Sequence, residues 1–345
     1  MKKALSIILV IIVLVIAFPP FAASAAEEFF WFQIHPGTNW GRIYDLAIDP
    51  ISPNIIYAAT ENAGVFKSAD GGVTWAAANL GLTQSKIRSL AIDPTRTITL
   101  YAGSDWDPFK SVNGGAYWDQ ISNGWNNAAG FSIAIDPRNT SILFIGTDRG
   151  VFKSVNGGDS WVNSSNGLDN KAVFTIAIDP QTSTTLYAGT DRGVFKSVNG
   201  GASWIAINNG MDWMVIQSFA IDPTRPATLY AGTLGYGLFK SVNGGTSWTE
   251  VNNGMSNDWV TSIVIDPTNT ATLYAGTFGG GVFRSINGST SWNPINLGLK
   301  ELYVHKLAID PLSPTTLYAS ISYNGVFKSR VVDFKYALFL PTILR

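Results

Sequence analysis

Cysteine is absent from the 345 residues, which removes disulfides, thiolate nucleophiles, cysteine-held metals and lipid-modified cysteine together. Histidine is nearly absent. With only His35 and His305, a zinc site would need carboxylates from several distant segments, so no metal and no cofactor is expected. Charge of one sign is also missing: the net value is −1, and no lysine or arginine run follows the first residues. A nucleic-acid partner needs a basic stripe to neutralise phosphates, so that class is excluded. No glycine-rich phosphate loop follows a strand-like run, and no nucleophile elbow occurs. Asp105-x-Asp107 is a fragment of calcium-loop spacing without the rest.

Long apolar runs are scarce as well. One stretch, Leu5 to Phe18, follows Lys2 and Lys3 and precedes Pro19-Pro20 and the small residues Ala22 to Ala26. It is shorter than the ~20 residues of a membrane span. The pattern predicts a secretory signal peptide over residues 1–26 with a cut after Ala25 or Ala26. A secreted, periplasmic or cell-surface chain with no membrane span after cleavage is expected, monomeric and stable on packing alone.

What the sequence has is a repeat. Ile-Asp-Pro stands at Ile48, Ile92, Ile135, Ile178, Ile221, Ile265 and Ile309, spaced 43 or 44 residues apart. A period of about 40–45 residues with several short strands per unit marks propeller blades. One unit reads as strand A (Ile216–Ile221), the turn Asp222-Pro223, strand B (Thr228–Thr233), strand C (Leu238–Ser241), then Asn243-Gly244 and strand D from Ser247-Trp248. Proline stops a central strand, aspartate bonds the turn backbone, and Asn-Gly is a strong hairpin signal. The expectation is an all-β fold: one seven-bladed β-propeller of four-stranded antiparallel blades over residues 27–330, followed by a tail at 331–345.

Ser68-Ala69-Asp70-Gly71-Gly72-Val73-Thr74-Trp75 and the matching segments ending at Trp118, Trp161, Trp204, Trp248 and Trp292 resemble the Asp box, or bacterial neuraminidase repeat. Tyr117 and Ser289 are departures from its pattern. The chain thereby resembles sialidase- and xyloglucanase-type propellers, sortilin-like receptors and the photosystem II assembly-factor family. That resemblance implies either protein recognition or glycoside hydrolysis. It also implies that the boxes lie at the outer rim, away from any active site. The chain departs from sialidases in lacking an Arg-Ile-Pro segment and an evident arginine triad. It departs from the xyloglucanases in having one propeller where they have two.

The register predicts the ring closure. Each box Trp lies 18 residues before the next Ile-Asp-Pro aspartate, and 18 before Asp49 is Trp31. Trp31 to Pro36 therefore reads as a strand D that completes the seventh blade, hiding two open sheet edges. Gly37 then aligns with Gly210. Tyr336, seven residues after Ser329, offers a rival strand D at the other end.

Seven Ile-Asp-Pro aspartates and Asp70 recur by repeat position and are assigned to the scaffold. Function is expected on the opposite face, in the B–C and D–A loops around the channel, where the repeat breaks down. Aromatic residues there, Trp40, Trp106, Trp125, Trp213, Trp259 and Tyr303, suit a glycan or an extracytoplasmic protein. Four residues before each Ile-Asp-Pro aspartate stand Asp45, Ser89, Ser132, Thr175, Ser218, Ser262 and Lys306. One residue earlier stand Tyr44, Arg88, Phe131, Phe174, Gln217, Thr261 and His305. Blades seven, one and two adjoin in a closed ring, so His305, Lys306, Tyr44, Asp45 and Arg88 are expected to converge, either as a ligand site or as a neutralising cluster built on an Asp45–Lys306 pair. The reading is a binding propeller with Trp40, Tyr44, Arg88, Trp106, Trp125, Trp213, Trp259, Tyr303 and His305 as ligand contacts. The alternative is a glycoside hydrolase drawing on Asp45, Glu61, Asp105, Asp107 and Glu301.

Overall fold

The computed structural model describes residues 28–332, apart from Thr38, Asn170 and Asp212. Residues 1–26, where a leader is expected, together with Asp212, Tyr336 and the residues beyond Val332, lie outside the described residues. Among the described residues, no helix is long and apolar enough to cross a membrane.

Within Phe29–Val332 the chain forms seven four-stranded sheets, arranged as a ring of blades. Blade one runs Ile43–Ile48, Ile56–Thr60, Val65–Ser68 and Ala76–Ala77, all antiparallel, and blades two to six repeat it. Each innermost strand A packs on the strand A of the blades before and after it. Strand B is buried along its whole length in every blade, whereas the two-residue strand D of blades one to six is exposed. Sheets covered on both faces select apolar and small residues, which is why strand B reads Leu-Tyr-Ala-Gly-Thr in three blades. The glycine is there for space: a Cβ on Gly276 would stand 2.7 Å from Val304 Cγ1 of the next blade.

Blade seven is assembled from both ends, with Val304–Ile309, Leu317–Ile321 and Gly325–Val332 closed by Glu28–His35 as the outermost strand. The N-terminal strand thus closes the ring as the register predicted. Trp31 is 1 % exposed and behaves as the tryptophan of that blade. Its Nε1–H donates to Ile295 O at 2.6 Å, as Trp118 donates to Ala78 O and Trp161 to Ile121 O at 2.8 Å. Each acceptor lies three residues after the previous blade's tryptophan.

The recurrent motifs are structural. Asp49 Oδ1 accepts from the amides of Ile51 and Ser52, and the other Ile-Asp-Pro aspartates cap their turns in the same manner. In the first box Asp70 accepts from Thr74 N and Thr74 Oγ1, at 2.8 and 2.6 Å. Elsewhere an asparagine takes its place without the charge, as Asn156 does with Ser160 N. A strand C lysine then clamps the next blade, Lys67 Nζ reaching Gly114 O at 2.9 Å beside Tyr57 OH at 3.0 Å.

Candidate functional site

Every blade carries a β-bulge near the start of strand A. The register shifts between Ile43 and Asp45, between Ile87 and Ser89, and equivalently in the other five blades. A bulge leaves one residue unpaired and re-aims its side chain. The bulged residues are Tyr44, Arg88, Phe131, Phe174, Gln217, Thr261 and His305, and all seven line the central cavity of about 870 Å³.

Several residues that follow the bulge also bond the neighbouring blade, and Asp45, Ser132, Thr175, Ser218, Ser262 and Lys306 line the same cavity. Ser89 Oγ donates to Gly130 O at 3.0 Å, Ser218 Oγ to Val260 O at 3.3 Å, and Ser262 Oγ accepts from Leu307 N at 3.0 Å. Asp45 holds the same position in blade one. Its carboxylate accepts from Leu46 N and Leu90 N, both at 2.9 Å, and pairs with Lys306 Nζ at 3.0 Å. Asp45 thus bonds across to blade two and pairs with Lys306, the pair expected from the register, while both residues line the cavity.

The remaining charges of blades one and two are also engaged. Asp105 bonds Arg88 Nε through Oδ1 and pairs with Lys86 Nζ at 3.3 Å through Oδ2. Arg88 lies over the rings of Tyr44 and Phe131, at 5.5 and 5.2 Å. Tyr44 OH donates to Glu61 Oε1 at 3.0 Å. Burial, then the Glu61 bond, push the Tyr44 hydroxyl up to about 12. Burial alone would raise the Glu61 carboxyl, but the Arg42 amide, the Tyr44 hydroxyl and the charges of Arg42 and Lys86 outweigh it and hold it below its ordinary value. His305 Nε2 sits 2.7 Å from Ser322 Oγ, and burial, then the nearby Arg42 charge, bring its pKa down to about 4. The imidazole is thus neutral at pH 7.

At the mouth, the residue before strand A stands beside the residue after strand B. In blades one and two these pairs are charged, Arg42 with Glu61 and Lys86 with Asp105. In blades three and four they are Ala129 with Asp148 and Ala172 with Asp191. In blades five and six they are apolar, Val215 with Leu234 and Trp259 with Phe278, and blade seven has Tyr303 with Ser322. The mouth is polar on one side and aromatic on the other. This ring is missed by motif reading, yet its first member always lies seven residues before an Ile-Asp-Pro aspartate.

The expected ligand contacts separate on burial. Trp106, Trp213, Trp259 and Tyr303 are exposed on the loop face, Trp213 at 74 %. Tyr44, Arg88, Trp259 and His305 line the cavity. Trp40 is corrected to a core residue: it is 4 % exposed and stacked between His35 and Phe66 at 3.7 and 3.9 Å, so both faces are covered. Trp125 packs on Phe152 and Trp161 at 4.6 and 5.6 Å, with its N–H directed to Trp106 O and Ala128 O. Of the carboxylates put forward for hydrolysis, Asp45, Glu61 and Asp105 are tied as above, Asp107 accepts from Ser122 Oγ at 2.6 Å, and Glu301 is exposed.

No family model and no curated protein sequence matches the chain. Solved structures match its fold. The GH74 xyloglucanase from Xanthomonas campestris superposes with a TM-score of 0.72 at 19 % identity, covering 88 % of this chain and 54 % of its own. The extracellular domain of a B. thetaiotaomicron protein gives 0.70 at 17 %, covering 88 % and 40 %. YCF48 bound to D1 peptide gives 0.67 at 16 %, covering 89 % and 98 %. The chain spans about half the length of the xyloglucanase it matches. These likenesses establish the propeller fold.

Proposed function

We propose that this chain is an extracytoplasmic recognition propeller that binds a glycan or a protein at the channel mouth. The observation that carries the reading is the division of labour among mouth residues. The charges of blades one and two are tied to one another, whereas aromatic side chains of blades five to seven lie open to solvent on the same rim. Charges paired within the protein are already satisfied, and exposed aromatic clusters mark interaction sites. The extracytoplasmic assignment rests on the leader-like residues 1–26. Structural neighbours that are an extracellular domain and a peptide-bound protein fit the same reading.

A glycoside hydrolase would need two facing carboxylates, one of them raised to act as an acid. Glu61 is held low, which argues the other way. The test is a glycan array and polysaccharide pull-down with the mature chain beside Trp213→Ala and Trp259→Ala. Binding by the wild type that both variants lose supports the mouth, and retained binding moves recognition elsewhere. Turnover of a glycan that Glu61→Gln abolishes would overturn the non-enzymatic reading.

A further inference from the structure

The closing strand Glu28–His35 ends in a histidine, at the seam where the two ends of the ring meet. Gly37 N donates to His35 Nδ1 at 2.9 Å. A backbone amide can only donate, so Nδ1 is the bare nitrogen of a neutral ring. The imidazole lies on Trp40 at 3.7 Å and 16°, and edge-on to Trp75 at 6.5 Å. Just beyond it the backbone crosses blade seven with no room to spare. Gly37, at φ 68°, would set a Cβ 2.6 Å from Gly325 Cα, and a Cβ on Gly325 would run into His35 O. Two further bonds hold the strand here, Gln33 Nε2 to Asn324 O at 2.6 Å and Lys300 Nζ to Gln33 Oε1 at 3.0 Å. Neither depends on a group that titrates near neutral pH.

The charged groups on the surrounding elements are spent elsewhere. Arg42 Nε donates to the Tyr323 hydroxyl, and Glu61 accepts from the Arg42 amide and the Tyr44 hydroxyl. Lys67 and Lys328 reach Gly114 O and Gly71 O, and Asp70 is held by Thr74. Burial is what lowers the pKa of the His35 ring from 6.5, so the bond to Gly37 is secure above about that pH and weakens below it. Protonation would put an N–H on Nδ1, pointing at the N–H of Gly37. A cation over an indole face is favourable, so the ring keeps its place on Trp40. The loss falls on the buried Gly37 amide, which is left without its acceptor.

We infer that His35 is an acid-sensitive latch on the closing strand. Neutral, it fixes Gly37 against Gly325 and holds the strand in blade seven. Protonated, it lets that end go, and the ring loosens first at the seam between blades seven and one.

The test is hydrogen exchange read by mass spectrometry on the mature chain at pH 7.5 and pH 5, corrected for the intrinsic effect of pH. In the wild type, protection of residues 28–37 should fall by about threefold or more at pH 5, while Leu186–Thr190 in blade four holds. His35→Asn sets an oxygen near the position of Nδ1 and cannot be protonated, so its closing strand should stay protected at both pH values. His35→Phe keeps a stacked ring without the acceptor, so its strand should be loose at both. His305→Gln should respond to pH as the wild type does. Melting temperatures at pH 7.5 show which variants fold, and His35→Asn carries the test if His35→Phe does not. Unchanged protection of residues 28–37 in the wild type, or the same fall in His35→Asn, overturns the inference. So does a fall shared equally by blade four, which would mark general acid unfolding in place of a local latch.

Discussion

His305 shows how much a single residue's role depends on where its backbone is bent. In sequence it is one of two histidines, positioned near Lys306 and offered as a ligand contact. The bulge turns it into the channel wall, where Phe278 lies 5.6 Å away and Ser322 holds the ring. Because burial lowers its pKa to about 4 from 6.5, the unfolded chain takes up a proton between those values that the folded chain refuses. Stability is therefore fully present above about pH 6.5 and falls as pH drops through the window to about 4. Denaturant midpoints at pH 7 and pH 5 should differ in the wild type and differ less in His305→Gln. An equal difference in the two proteins would refute the role of this ring. His35, also lowered by burial, contributes in the same direction.

At the scale of the element, the joint between blades is a tryptophan device, and one joint departs from the rest. Gly81, six residues after its tryptophan, approaches Trp118 O so closely that a Cβ would stand 2.1 Å away, and Gly298 does the same to Trp31 O at 2.2 Å. Gly37 was aligned with this position but meets Gly325 instead. Trp75 likewise donates to Gly72 O within its own box, not to the preceding blade. The reason is the inserted stack of His35, Trp40 and Phe66, edge-on to Trp75, which fills the space between blades seven and one. Trp31→Ala should cost ~3–5 kcal/mol by denaturant unfolding, as burial and cavity formation dictate. Trp75→Ala, at a half-buried position lacking that inter-blade bond, should cost clearly less. Equal losses would show that the seam is as tight as the other joints.

At the scale of the whole molecule, closure is the property on which the other joints rest. Without Glu28–His35 the last blade would end at Gly325–Val332, an open eight-residue edge beside an uncovered face of blade six. Deleting residues 27–36 after the leader should lower the melting temperature sharply and promote aggregation. Unchanged melting would show that another segment closes the ring.

The repeat determined a great deal without any coordinates. Blade number, strand order, the scaffold role of the Ile-Asp-Pro aspartates and the closing strand at Trp31 all follow from a spacing, because hydrogen-bond register is periodic along the chain. Asp45 with Lys306 was legible for the same reason. What spacing could not disclose was direction and depth. Trp40 and Trp213 look alike as loop tryptophans, yet one is sandwiched between rings and the other stands 74 % exposed. The polar and aromatic halves of the mouth arise only when strands from seven separate repeats are bent into one ring. Side-chain burial is set by neighbours some 40 residues away or at the other end of the chain, and only the closed tertiary structure decides which neighbours those are.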